Sequence, residues 1–318
     1  MWRYKMKILC TGTSGFIGNK LATELDKQGH DVYCLLRYVS GRGLFNERNL
    51  KTVFADLTDH FAVRNVVRSV KPDAVFHLAA LSPVSLSYDR PQEVIETNFT
   101  ATVNLAECCM RESPHLQQFI FAGTSEEYGN QKQFPIKETA ELYPNSPYAV
   151  AKVAADKYLN YMFDAYRFPM TIVRPFNTYG RCRDNHFIVE RIVSQMIENL
   201  NGEVKLGDPE PIRDLMYMDD HVNAYLSVLG KTQAIGESFN FCTGKGVTIK
   251  ELAGKIGDLV GFKGKIMWNT IPSRPLDIYT LIGDNSKAKE MLSWQPRFNL
   301  DNGLQLTIKS LMENYKDE

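Results

Sequence analysis

The chain has 318 residues and a mass of 36.2 kDa, which at roughly 150 residues per domain sets an expectation of about two domains. Its 37 basic and 37 acidic side chains cancel to a formal net charge of 0, without the basic excess of a nucleic-acid binder or of a protein held on an anionic membrane. With 44% hydrophobic and 23% charged residues, 17 Phe and 15 Tyr, the composition excludes a largely disordered chain.

The opening residues, MWRYKMKILCTG, turn from basic to apolar. The apolar part is too short for a signal-peptide core and runs straight into a glycine-rich turn. It reads as a buried strand, Met6–Cys10. Phe16–Gln28 follows with Phe16, Ile17, Leu21 and Leu25 at helical spacing. Asp31–Leu36 is the second strand and Thr52–Ala55 the third. Ala62–Val70 is helical, Ala74–Leu78 the fourth strand, Thr97–Cys109 a helix and Gln118–Ala122 the fifth strand. Pro147–Tyr166 is a long helix and Met170–Val173 the sixth strand. Strands alternating with helices of this length predict right-handed βαβ units, hence an α/β, Rossmann-like doubly wound parallel sheet.

After Pro175 the rhythm changes. Helical patterns recur at Val189–Leu200, Asp220–Leu229, Thr248–Val260 and Asn285–Leu292, with short strands such as Lys205–Leu206 and Ser238–Phe241 between them. This predicts a dinucleotide-binding domain over 1–175 and a smaller C-terminal α/β substrate lobe over 176–318, some of whose segments return to the first sheet. No run of about 18 apolar residues marks a membrane span. The cysteines, Cys10, Cys34, Cys108, Cys109, Cys182 and Cys242, form no C-x-x-C and read as free thiols in a reducing cytoplasm. The six His lack ligand spacing, so no metal site is expected.

Thr11-Gly12-Thr13-Ser14-Gly15-Phe16-Ile17-Gly18 joins the first strand to the first helix. Gly12 suits a tight turn, Gly15 a close approach of backbone to a pyrophosphate, and Gly18 close packing of helix on strand. The free N–H groups and positive end of the helix then face the phosphates. At the end of the second strand stands Arg37, with Arg42 shortly after. A cation there suits a ribose 2′-phosphate, so NADP is favoured, with NAD possible. Asp56-Leu57 either meets the adenine edge or caps the helix over 58–70.

Tyr148 and Lys152 stand four residues apart, on one helical face. A neighbouring ammonium favours the phenolate, which then takes a proton from a substrate hydroxyl. Gly123-Thr124-Ser125-Glu126-Glu127-Tyr128-Gly129 closes the fifth strand at the edge where open α/β sheets bind ligands. Thr124 is placed to bond the oxygen that Tyr148 deprotonates, and Glu126 to add a carboxylate; Glu127 reads as a solvated loop acid.

These motifs, TGTSGFIG at 11–18, HLAA at 77–80, TSEEYG at 124–129, YAVAK at 148–152 and RPFN at 174–177, resemble the extended short-chain dehydrogenase/reductase family over nearly the whole chain. Within it the chain is most similar to the nucleotide-sugar 4,6-dehydratases, and among them to the GDP-mannose type. RPLD at 274–277, LIGD at 281–284, WQP at 294–296 and GDPEPIRD at 207–214 add to this, whereas Asn177-Thr178-Tyr179-Gly180 is similar to epimerases and glucose-type dehydratases.

The resemblance implies a nicotinamide dinucleotide running past Leu78, Ala79 and Ala80. It implies a nucleotide-diphosphate sugar against Ser82, Ser125 and Asn177. Arg213 and Arg274 become candidates for its diphosphate, or else structural ion pairs with Asp214 or Asp277. It implies a reaction in which Tyr148, with Lys152 and Thr124, takes the C4 hydroxyl proton, Glu126 takes the C5 proton and water leaves from C6. A 4-keto-6-deoxy-sugar reductase or a 4-epimerase needs the same trio without the C5 base. A non-enzymatic dinucleotide sensor has no use for that trio. Family members pair their long helices across a two-fold axis. With Tyr158, Leu159, Met162 and Phe163 as apolar surplus, this implies a homodimer or dimer of dimers.

Overall fold

The computed structural model describes residues 5–37, 50–180 and 186–316; Arg42 and Cys182 lie outside them. Seven parallel strands form the main sheet: β1 (Lys7–Thr11), β2 (Asp31–Leu36), β3 (Lys51–Phe54), β4 (Ala74–His77), β5 (Gln118–Ala122), β6 (Met170–Pro175) and, after the short β7 (Asn177–Tyr179), β8 (Glu203–Lys205) and β9 (Ile212–Tyr217), the returning β10 (Ser238–Phe241). Their spatial order is β3-β2-β1-β4-β5-β6-β10, and the order in which strands are added switches sides between β1 and β4, which pair in parallel. β10 joins the edge by pairing with β6, Ser238 opposite Ile172.

Both faces of this sheet are buried, so its strands read as unbroken apolar runs. On one face lie α1 (Phe16–Lys27), and, from the second half of the chain, α8 (Met218–Val228), α10 (Ser286–Leu292) and Trp294, packed on Ile8, Cys10, Phe76 and Ile120. On the other lie α2 (His60–Val70), α5 (Ala101–Glu112) and α6 (Pro147–Tyr166), packed on Leu9, Val75, Phe119 and Ile172. Leu159 and Met162 are fully buried in this second core, and Tyr158 and Phe163 pack against it. Leu159 and Met162 are therefore internal packing, not surplus for a partner chain. The cap of α2 is Asp59, which accepts from the N–H groups of Phe61 and Ala62, and not Asp56.

Two short helices, α3 (Val84–Asp89) and α4 (Pro91–Ile95), precede α5, and a single π-turn at Glu96–Thr100 leads into it. The extra residue turns Asn98 inward, where its side chain grips both backbone groups of Leu81. In the second half β9 is the centre of a small sheet, antiparallel to β11 (Gly246–Thr248) and parallel to β7 and β13 (Thr280–Leu281). β8 pairs with β12 (Lys265–Met267). Their core is shared with α7 (Ile188–Glu198), α9 (Ile249–Val260) and α11 (Leu300–Lys316). No helix of the described residues is long and apolar enough to cross a membrane.

Candidate active site

A cleft of about 870 Å³ opens at the C-terminal ends of the main-sheet strands and is walled by both halves of the chain. Its floor begins at the turn after β1. Gly12 has φ +72, and a Cβ on it would fall 2.7 Å from the backbone of Leu78 and Ala79. A Cβ on Gly18 would fall 2.2 Å from the Gly12 carbonyl oxygen, so α1 lies on the turn with no room for a side chain. Gly15 caps α1 with no side-chain acceptor and no acid in the first turn. The N-terminal end of α1 carries a partial positive charge that suits phosphate. Ser14, Gly15, Phe16, Ile17 and Gly18 line the cleft. Thr13 does not: it is fully buried beneath the turn.

Arg37, Asp56, Leu57, Leu78, Ala79 and Ala80 continue the wall. Asp56 accepts from the backbone N–H and hydroxyl of Thr58. The backbone bond first, then the hydroxyl and the Arg37 guanidinium, hold its carboxyl below the ordinary range. Asn104 on α5 steadies the same loop through the carbonyls of Leu57 and Thr58. Sequence spacing holds no signal for Asn104 or Asn98. The glycine cradle, uncapped helix end and lined groove together fit a dinucleotide.

Farther along, Thr124, Ser125, Glu126, Tyr148 and Lys152 converge on the cleft. Tyr148 is pushed well above the ordinary phenol range by burial, while a side-chain hydrogen bond from Thr124 pulls it down and Glu126 and Glu127 push it up. Lys152 stands one turn on from Tyr148 along α6. Its Nζ is spent on the Ala122 carbonyl at 2.7 Å and lies 4.8 Å above the Phe121 ring. Burial lowers Lys152 to about 8.

Glu126 is buried, and burial raises its carboxyl above the ordinary range against the pull of Arg274 and Arg213. Glu127 is not a solvated loop acid: its side chain is fully buried. Its Oε1 accepts from the Thr124 N–H at 2.8 Å and its Oε2 from Arg174 Nε at 2.9 Å. Burial pushes it up to about 7, with Arg174 opposing. Polarity alone misled here, because only the fold shows that Arg174 from β6 arrives behind the loop.

Ser82, Asn177, Arg213 and Arg274 complete the wall. The Asn177 Oδ1 is buried with no hydrogen-bond partner. Asp277 lies 3.7 Å from Arg213 and 3.4 Å from Arg274. Asp214 pairs with neither, accepting instead from Thr243 and the Gly244 N–H. Both arginines stay on the cleft with Asp277 between them.

Residues 9–307 match a family model described as GDP-mannose 4,6 dehydratase. A UDP-glucose 4-epimerase of Mycolicibacterium smegmatis is 32% identical over 96% of this chain and 98% of its own. The structure of a UDP-glucose 4-epimerase from Thermotoga maritima with UDP-glucose superposes with a TM-score of 0.89 at 31% identity, covering 97% of this chain and 99% of that one. That of a Thermus thermophilus UDP-glucose 4-epimerase with NAD gives 0.86 at 26% identity, covering 96% and 98%.

Proposed function

The chain belongs to the GDP-mannose 4,6 dehydratase family of extended short-chain dehydrogenase/reductases, enzymes that modify nucleotide sugars with a nicotinamide dinucleotide, and on that premise we propose that its reaction is a 4,6-dehydration. The substrate is a nucleotide-diphosphate hexose, with GDP-mannose favoured, and the product a 4-keto-6-deoxy sugar. The observation that carries the reading is Glu126: a buried carboxylate on the cleft wall, two residues after Thr124, with a raised proton affinity. A reaction that removes a C5 proton needs such a group and a simple C4 epimerisation does not.

In this reading the bound dinucleotide supplies the acceptor, and later the donor, of the hydride. Backbone N–H groups of the Gly12–Gly18 turn hold its pyrophosphate, and Arg37 a 2′-phosphate, which favours NADP. Thr124 and Tyr148 grip the C4 hydroxyl, and Tyr148 accepts its proton. Lys152 holds helix α6 against β5. Arg213, Arg274 and Asn177 take the diphosphate, and Ser82 and Ser125 face the hexose. Once C4 is a ketone the C5 hydrogen is acidic; Glu126 takes it and passes a proton to the departing C6 hydroxyl, which leaves as water, and addition of the hydride at C6 and of a solvent-exchanged proton at C5 then gives the 4-keto-6-deoxy sugar.

The second reading is a 4-epimerase, favoured by the likeness to two UDP-glucose 4-epimerases at 32% and 31% identity. A panel of nucleotide-diphosphate hexoses turned over in deuterated water separates the two. A dehydratase yields a product lighter by one water, with solvent deuterium at C5 and no net use of reduced cofactor. An isomer of unchanged composition and no deuterium on carbon would establish the epimerase. We extend the proposal to a homodimer through α6, where Val150 and Tyr161 lie exposed on one face; light scattering tests it.

A further inference from the structure

Two contacts tie helix α6 to the end of β5, and a third, through Arg174 of β6, has no part in the chemistry above. Tyr148 meets Thr124. Lys152, one turn on, donates to the Ala122 carbonyl. Asp156, a further turn on, accepts from Arg174 Nη2 at 2.6 Å, and Arg174 Nε donates to Glu127 at 2.9 Å. Residues 148, 152 and 156 share one face of α6 because they are four apart. Glu127 then returns to the start, since its other oxygen holds the Thr124 N–H at 2.8 Å. The chain of contacts is closed: Thr124, Tyr148, along α6 to Asp156, Arg174, Glu127 and back to Thr124.

We propose that Glu127 is a positioning residue that sets the separation of Thr124 from Tyr148, by fixing the Thr124 backbone to the same arginine that holds the far end of the Tyr148 face. The proposal rests on the reading of Tyr148 and Thr124 as the pair that grips the substrate hydroxyl, and it is the same for a dehydratase or an epimerase. The two oxygens of Glu127 face two N–H donors, and Glu127, Asp156 and Arg174 are all nearly inaccessible to water. Water therefore cannot replace a lost contact, and an error in the loop passes to Thr124.

The test is Glu127→Gln. The amide has the same shape but one acceptor oxygen, so its NH₂ must face either Thr124 N–H or Arg174 Nε. The expected result is a fall in kcat of ~10–10²-fold with the KM for the nucleotide sugar unchanged, the size of effect that a displaced reacting group produces. Asp156→Ala opens the loop from its other end and gives the same split. Ile120→Val, on β5 but outside the loop, measures how much kcat is lost to loosened packing alone. Parent kcat in Glu127→Gln, or a loss no greater than that of Ile120→Val at equal distance below the melting temperature, overturns the proposal. If Glu127→Gln does not fold, parent kcat in Asp156→Ala overturns it. Failure of the underlying reading shows separately, with Glu127 and Asp156 intact, as undiminished turnover by Tyr148→Phe.

Discussion

Lys152 Nζ lies 2.7 Å from the main-chain oxygen of Ala122 and donates a hydrogen bond to it, pinning the first half of α6 to the end of β5. The charge that makes this bond strong is held only while the amine is protonated, and burial brings its titration down to about 8. Above that pH the ammonium is lost. We expect kcat/KM to decline as pH rises through about 8, and Lys152→Met to lower activity ~10²-fold or more while removing that limb of the profile. A pH–rate profile unchanged by the substitution would show that the ammonium is not required.

Glu126→Gln separates proton removal at C5 from chemistry at C4. Tyr148, Thr124 and Lys152 are untouched by it. Product formation is expected to fall by ~10²–10⁴-fold, and solvent deuterium at C5 to disappear with it. Tyr148→Phe should stop both C4 oxidation and elimination. Mass spectrometry of the sugar and single-turnover absorbance of the nicotinamide read the two steps apart. Full turnover by Glu126→Gln on every substrate of the parent would remove Glu126 from the mechanism and leave the epimerase.

Arg37 stands on the cleft wall close enough to Asp56 to stabilise its carboxylate. Arg37→Asp turns attraction for a 2′-phosphate into repulsion. Calorimetry should show NADP binding weakened at least ~10-fold, a loss of about 1.4 kcal/mol, with NAD affected less. Tighter binding of NAD than of NADP by the unmutated protein would reverse the assignment.

His77 is buried between Thr11 and Thr102, at 2.8 Å and 2.9 Å, and burial, helped by the Lys152 ammonium, lowers it from 6.5 to about 3. Its folded value is depressed, so between those limits the unfolded chain takes up a proton that the folded one refuses. The contribution of neutral His77 is fully present above pH 6.5 and is lost as pH falls towards 3, by up to about 1.4 kcal/mol per pH unit. Urea unfolding at pH 7 and pH 5 should find the gap between the parent and His77→Gln narrowing at pH 5. Equal losses in both proteins would show that His77 is protonated in the fold.

The parallel sheet and the glycine turn were legible because each leaves a local trace: apolar runs ended by Gly12, and a helix pattern starting at Phe16. Tyr148 and Lys152 were legible for the same reason, being one helical turn apart. Contacts between distant segments were not. Glu127 reads as polar and exposed until Arg174 from β6 is brought behind it. Asp56 and Asp59 are equally good caps by composition, and only the backbone path selects Asp59. Leu159 and Met162 read as surplus because one helix pattern does not say how much of its apolar face a sheet will cover. Asn98 and Asn104, which set loops lining the cleft, leave no periodic trace at all.

The return of β10, α10 and Trp294 to the first sheet has a consequence during synthesis. Trp294 packs edge-on against Phe241 at 4.8 Å, closing a face whose strands were made much earlier. As the chain leaves the ribosome, α1 covers only part of that face, and the rest waits for segments between residues 218 and 294. At roughly 5–20 residues per second the delay is on the order of ten seconds. Throughout that interval the nascent N-terminal half presents a bare apolar sheet surface and an unpaired β6 edge, so a product truncated near residue 175 is expected to aggregate rather than to fold independently.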